Sequence, residues 1–301
     1  MNILVSGSSG LIGSALVPYL SSGGHRVIRL VRRRSPSVTD EIPWDPDLDR
    51  LDPGLLEGFD AVVHLAGENI AAARWTANQK ARIRESRVRG TRLLSETLAV
   101  LSKRPRILVS ASATGYYGDR CEQILTEESP PGTGFLADVC REWEAATDVA
   151  AKQDIRIVNL RTGLVLSSSG GALAKMLTPF RMGIGGVVGS GRQYMSWIAL
   201  DDVIAAILHM LNVADLRGPV NVVTPQPVTN RDFTRTLGRV LSRPTLLPLP
   251  AFAARLAFGE MADALLLASQ RVEPARLLGS GFKFSYPELG GALRHLLRQK
   301  G

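Results

Sequence analysis

The 301-residue sequence has only two cysteines and six lysines, and no apolar run near the roughly 20 residues that a membrane span needs. Cys121 and Cys140 are too few for a disulfide framework, so both are expected as reduced thiols. There is no internal repeat and no low-complexity tail, and no metal is assigned. Met1 leads straight into an apolar segment without the basic region and cleavage site of a leader, so a soluble, cytoplasmic protein is expected. The formal charge is +8, yet the excess is arginine, 30 against 6 lysines, spread along the chain without a nucleic-acid-binding motif. The expected partner is therefore a small-molecule substrate, with no nucleic acid and no membrane, and a few arginines binding anions. The sequence sets no oligomeric state.

At 45% hydrophobic and 21% charged residues, the chain suits one large α/β domain with a smaller appendage. Ile3-Leu4-Val5-Ser6 reads as a buried strand and runs directly into Gly7-Ser8-Ser9-Gly10-Leu11-Ile12-Gly13, a glycine-rich turn that opens an apolar helix. In such a unit the first glycine reverses the chain, the second lets backbone approach a pyrophosphate, and the third lets the helix pack on the sheet. The helix start supplies free N–H groups for phosphate charge, which makes Gly7, Ser9, Gly10, Leu11, Ile12 and Gly13 the candidate phosphate cradle. Gly23-Gly24 ends the helix, and residues 26–31 read as the second strand. Pro18 inside the helix predicts a kink or a locally solvated turn.

Strands and helices then alternate. Residues 60–67, 106–112 and 155–160 read as strands, and residues 76–101 and 135–152 as helices, which predicts a Rossmann-type, doubly wound parallel sheet. Ligands bind such sheets at the carboxyl ends of the strands, so the residues just after Val5, Val31, Leu65, Ser110 and Leu160 should line one crevice. Beyond Arg161 the pattern loosens into glycine- and serine-rich stretches at 167–171 and 183–191, read as flexible substrate-side loops within 167–197. Residues 201–212 read as a helix and 220–223 as a strand. The chain divides into residues 1–228, the nucleotide-binding domain, and residues 229–301, a small, mainly helical substrate-side domain broken by prolines.

The glycine turn, His64-Leu65-Ala66-Gly67, Gly90-Thr91, Ser110-Ala111-Ser112-Ala113-Thr114-Gly115-Tyr116-Tyr117-Gly118 and Tyr194-Met195-Ser196-Trp197-Ile198 before Asp201-Asp202-Val203 resemble the extended short-chain dehydrogenase/reductases, which include the nucleotide-sugar epimerases. The resemblance runs from Met1 to about Val223. Leu65-Ala66-Gly67-Glu68-Asn69-Ile70, Ser86-Arg87, Trp143-Glu144, Pro179-Phe180-Arg181 and Pro287-Glu288-Leu289-Gly290-Gly291-Ala292-Leu293 resemble, more narrowly, an epimerase-family branch with its own C-terminal domain of unknown function.

An NAD site usually ends its second strand with an acid for the ribose hydroxyls, whereas this chain offers Arg32-Arg33-Arg34 there. Arg32 and Arg33 suit a 2′-phosphate, so NADP(H) is the expected cofactor, and Arg34 reads as a solvated charge. On the long helix, Ser86-Arg87 stands where the resembling enzymes often show asparagine. That implies Arg87 as a cofactor contact, with Arg82 a weaker candidate on the same face. Leu65, Ala66, Gly67, Ser110, Thr162 and Gly163 complete the expected cofactor lining, and His64 reads as a core histidine. The resembling enzymes move a proton through a Tyr-x-x-x-Lys pair, which on the matching helix here is Phe135 and Val139. Ser112 aligns with their serine that bonds the reacting oxygen. Tyr116 is the first choice for the missing acid, although no cationic neighbour is expected beside it. Tyr117, Asp138, Cys140, Lys175 and Tyr194 are alternatives. Two readings follow: an NADP-dependent oxidoreductase or epimerase-like enzyme acting on a small carbonyl or nucleotide-sugar-like substrate, or a non-catalytic NADPH-binding sensor.

Overall fold

The computed structural model describes residues 1–33 and 38–298. The first unit forms as its pattern predicts, with Asn2–Ser6 (β1), Leu11–Ser22 (α1) and Arg26–Val31 (β2). The α1 helix runs unbroken across Pro18. Pro18 lies on the exposed face, so the Ser14 carbonyl, which has no N–H four residues on, also sits at the exposed surface. Glu41–Pro43 (β3) adds a strand that patterning missed, because its three residues mix an acid, one apolar residue and a proline.

Next come Ala61–His64 (β4), Ala77–Ala99 (α2), Ile107–Ala113 (β5), Ile124–Leu125 (β6), Phe135–Ala145 (α3), Asp148–Ala151 (α4), Arg156–Thr162 (β7) and Leu164–Leu166 (β8). Thr76 caps α2 by accepting the Gln79 N–H. The single helix expected over 135–152 is two. The Thr147 N–H and hydroxyl both donate to the Glu144 carbonyl, at 3.1 and 2.7 Å, and close a tight turn there. The segment 60–67, read as a strand ending in a small-residue turn, is strand up to His64, beyond which the Leu65 N–H donates to the Ser6 carbonyl at 3.2 Å.

Gly171–Arg181 (α5), Tyr194–Met195 (β9), Trp197–Ala199 (β10), Leu200–Asn212 (α6) and Gly218–Val222 (β11) complete the sheet-forming part. The sheet has seven strands, all parallel, in the order β11-β7-β5-β4-β1-β2-β3. Chain order reverses on either side of β1, and the crevice of a doubly wound fold opens beyond the ends of β1 and β4. Alternation along the strands splits the core into two layers. Ile3, Val5, Val63 and Val109 pack on α1 and α6 through Leu16, Leu20, Val203 and Ile207. Leu4, Val62 and Leu108 pack on α2 through Leu94 and Leu98.

The remaining elements are Val228–Thr229 (β12), Asn230–Leu241 (α7), Ala251–Phe258 (α8), Glu260–Ala262 (α9), Arg271–Val272 (β13), Ala275–Gly279 (α10) and Leu289–Arg298 (α11). α7 and α11 bury Phe233, Leu237 and Leu293 against α5 and Trp197, while Leu277 and Phe282 join the core under the sheet. The stretch 183–191, expected to be a flexible loop, is hydrogen-bonded along both sides. Leu249 donates to Val187 at 2.8 Å, Gly189 donates to Leu249 at 2.9 Å, and Val188 donates to the Asn230 side chain at 2.8 Å.

Candidate functional site

Two glycines of the first turn are required by geometry. Gly7 has φ +69°, and a side chain there would stand 2.6 Å from the Leu65 carbonyl carbon. At Gly13 a Cβ would lie 2.2 Å from the Gly7 carbonyl oxygen, so α1 packs as closely as it does only without one. Gly10 donates to the Gly7 carbonyl at 3.0 Å and caps α1 with no side chain, leaving the first-turn N–H groups of Leu11, Ile12 and Gly13 without a side-chain cap. Ser9 and Gly10 are exposed. An open helix start beside a bare glycine backbone is what a pyrophosphate requires, so the residues fit a dinucleotide.

The segment Leu65-Ala66-Gly67 closes one side of this turn. Arg87 lies against it, its guanidinium carbon 3.4 Å from where a Gly67 Cβ would stand. The Arg87 side chain rests over the Trp143 ring at 5.0 Å and donates to the Ile83 carbonyl at 3.1 Å. Burial pulls its pKa below the ordinary guanidinium value, and Arg87 makes no ion pair among the described residues. Arg82 differs: it faces solvent and pairs with Glu68 at 3.0 Å. Arg32 and Arg33 stand exposed just past β2, and Arg34 lies outside the described residues. On the opposite side, Gly170 and Gly171 back onto Leu11, with Cβ positions 3.2 and 3.0 Å from its methyl carbons. Lys175 on α5 donates across to the Ala71 carbonyl at 3.2 Å.

Beneath the crevice, Ser6, His64, Ser110 and Asn159 occupy one register across β1, β4, β5 and β7 on the α2 face. His64 is fully buried, with Nδ1 2.6 Å from the Ser6 hydroxyl and Nε2 3.0 Å from the Thr91 hydroxyl, which also accepts the Trp143 indole N–H at 2.9 Å. It is a core histidine, as read from the sequence. Burial lowers its pKa from 6.5 to about 4. Between those values the unfolded chain takes up a proton that the fold refuses. Stability should therefore fall as pH drops through this window, by about 3 kcal/mol from this group. Urea unfolding from neutral pH to pH 4 measures the slope. His64→Gln should flatten it, and an unchanged slope in that variant would refute the assignment.

Two register positions further, β5 and β7 place Ser112 beside Arg161. Glu144 on α3 accepts from both. The Ser112 hydroxyl donates to Oε1 at 2.7 Å, and Arg161 donates from Nε to Oε1 and from Nη2 to Oε2, each at 2.8 Å. Burial opposes the Arg161 charge, but the paired bonds and charge of Glu144 outweigh it and hold its pKa above the ordinary guanidinium value. The same guanidinium lies 3.5 Å from the centre of the Tyr116 ring. This corrects the expectation that Tyr116 lacks a cationic neighbour. Tyr117 turns inward instead, donating to Asn221 at 2.7 Å and accepting from Arg161 at 3.1 Å. Burial raises its pKa to about 12.

The other candidates scatter. Asp138 pairs with Arg141 at the surface. Cys140 is buried, and burial followed by the Glu144 charge lifts its thiol to about 12. Phe135 packs edge-on against Trp75 at 5.2 Å and under the Lys80 ammonium at 4.9 Å, and lines an open cleft of about 430 Å³ together with Glu260 of α9. Gly163 donates to the Val222 carbonyl at 3.2 Å, and its Cβ position would abut the Ser196 carbonyl oxygen at 2.5 Å. Thr162 bonds the Leu160 carbonyl at 3.3 Å, and the Ser110 hydroxyl is buried in the sheet layer. Glu144 and Arg161 were missed as site residues. The available signal was Arg161, a charge at the end of an apolar strand, which folds stably only when an acid from a neighbouring element meets it.

Among the described residues no helix is long and apolar enough to cross a membrane. The model of the NAD dependent epimerase/dehydratase family matches residues 3–223, and a domain of unknown function, DUF1731, matches residues 249–296. An epimerase family protein of Mycobacterium bovis is 45% identical over 299 residues, covering 99% of this chain and 98% of its own length. The crystal structure of the human epimerase family protein SDR39U1 with NADPH superposes with a TM-score of 0.91 at 35% identity, over 99% of each chain. A nucleoside-diphosphate sugar epimerase from Corynebacterium glutamicum superposes with a TM-score of 0.82 at 39% identity, over 99% of this chain and 58% of that one.

Proposed function

The chain belongs to the NAD dependent epimerase/dehydratase family, and from that membership we propose that it binds NADP(H) and acts as an oxidoreductase or epimerase-like enzyme on a small carbonyl or nucleotide-sugar-like substrate. The observation that carries this reading is the array of Ser112, Glu144, Arg161 and Tyr116 at the end of β5, two strands from the glycine turn. For the cofactor, support comes from the human relative's NADPH and from Arg32 and Arg33 standing exposed where a 2′-phosphate belongs. The backbone of Gly7, Ser9, Gly10, Leu11, Ile12 and Gly13 would hold the pyrophosphate. Leu65, Ala66, Gly67 and Arg87 would flank it, with Arg82 at the margin and Ser110, Thr162 and Gly163 towards the nicotinamide end.

When bound, the cofactor gives or takes a hydride. The chain's own residues manage the proton. Because the Ser112 hydroxyl hydrogen is directed to Glu144, the lone pairs of its oxygen are left for a substrate hydroxyl. A proton leaving that hydroxyl passes to the deprotonated Tyr116 oxygen, while Ser112, its own proton held by Glu144, keeps the substrate oxygen in place. In the reverse direction Tyr116, whose hydroxyl has no hydrogen-bond partner among the described residues, is the group free to donate to a carbonyl oxygen. Residues 1–228 serve the cofactor in this reading, and residues 229–301 cover the substrate side.

A second reading, the NADPH-binding sensor, is favoured by Phe135. The helix that carries the acid pair in resembling enzymes here packs an apolar ring on Trp75. NADPH titration combined with a carbonyl panel separates the two. Slow NADPH oxidation with some member supports the enzyme. Tight binding with no turnover, accompanied by altered exchange protection of residues 229–298, supports the sensor.

A further inference from the structure

Arg271 opens β13, which lies parallel to β6 with Arg271 opposite Ile124. Its neighbour Val272 is fully buried with Tyr117, Leu125 and Val223, in the cluster that Tyr116 packs against. Strand alternation turns Arg271 to the other face, where its guanidinium lies over the Tyr194 ring at 5.0 Å. The backbone beneath it is fixed from several directions. Gln270 donates its N–H to the Tyr194 carbonyl at 3.1 Å and its side chain to the Gly118 carbonyl at 3.2 Å. The Ser196 hydroxyl donates to the Gln270 carbonyl at 2.7 Å and accepts the Val272 N–H at 2.9 Å.

Other arginines that are not exposed are satisfied by the chain: Arg161, Arg276 and Arg29 pair with Glu144, Glu128 and Glu41, while Arg87, Arg120 and Arg156 donate to the backbone carbonyls of Ile83, Pro130 and Leu216. Arg271 is also partly buried, yet among the described residues it makes no ion pair and no side-chain hydrogen bond, and Glu273 two residues on does not pair with it. A guanidinium has five donors in a rigid fork and stacks well on an aromatic face. Held on a hydrogen-bonded strand and backed by a tyrosine, it is pre-oriented for an oxyanion that the chain itself does not supply. Its neighbour Gln270 bonds the end of the loop that carries Tyr116, at the Gly118 carbonyl.

We propose that Arg271, shelved on Tyr194, anchors an anionic group of the substrate, a phosphate or a carboxylate, while the reacting carbon lies towards Ser112 and Tyr116. This rests on the enzyme reading above and narrows its substrate class to anions.

The test is calorimetric titration of NADPH-saturated protein with inorganic pyrophosphate and, separately, with malonate, so that the cofactor's own phosphate site is already filled. One of the two should bind, pyrophosphate marking a phosphorylated substrate and malonate a carboxylated one. Arg271→Gln should weaken that binding by about tenfold or more, with NADPH affinity unchanged. Tyr194→Phe should retain it and Tyr194→Leu should lose part of it. If Arg271→Gln does not fold, Arg271→Lys and Tyr194→Leu carry the comparison. Equal anion affinity in these variants and the wild type, or no binding of either anion by the wild type, overturns the proposal. Failure of NADPH itself to bind overturns the cofactor reading instead.

Discussion

Replacing Arg32 and Arg33 together with alanine is expected to weaken NADPH binding by about two to four orders of magnitude while NADH binding stays nearly constant. Each guanidinium would make charge-assisted bonds to the 2′-phosphate worth roughly 1.5 to 3 kcal/mol, and about 1.4 kcal/mol is a factor of ten. NADH has no such phosphate and loses nothing. Both side chains are exposed at the end of β2 and make no ion pair among the described residues, so their removal disturbs no packing. Calorimetry with the two nucleotides measures the difference. Equal losses, or a wild-type preference for NADH, would remove the NADP assignment.

The second large effect is expected at Tyr116. Tyr116→Phe deletes only the hydroxyl and keeps the ring on which the Arg161 guanidinium rests, so the buried array should remain intact. If that hydroxyl protonates the substrate oxygen, turnover with a responsive carbonyl should fall by about 10² to 10⁴, with NADPH affinity unchanged. Glu144 is a poorer probe. Its removal would leave Arg161 buried without its acid, a change that destabilises proteins by about 3 to 5 kcal/mol and confounds any kinetic reading. If activity survives Tyr116→Phe, the tyrosine is a packing residue and Lys175, which reaches across to Ala71, becomes the next acid to test. Asp138 no longer competes, since it faces Arg141 at the surface.

The β1-turn-α1 unit was legible because every device in it is local: an apolar run, glycines at fixed spacing and a helix period that starts at once. The same holds for β2, β4, β5 and β7, whose apolar runs are long enough to read. The β3 strand was not legible, because three residues carry no period and its place is set by pairing with β2. The Ser112–Glu144–Arg161 array escaped for a related reason. Its members come from β5, α3 and β7, and only the register of Ser112 opposite Arg161 brings them together. Phe135 reads in the sequence as a departure from the Tyr-x-x-x-Lys pattern, but its edge-on contact with Trp75 and its place under Lys80 depend on how α3 lies against α2.

The most direct test of the central claim, NADP(H)-dependent chemistry at Ser112 and Tyr116, is a crystal structure of the protein with NADPH bound. The expected result has the 2′-phosphate between Arg32 and Arg33, the pyrophosphate over Gly10, and nicotinamide carbon 4 facing the space bordered by the Ser112 and Tyr116 hydroxyls. A 2′-phosphate clear of both arginines, or a nicotinamide shut off from those two hydroxyls, would contradict it.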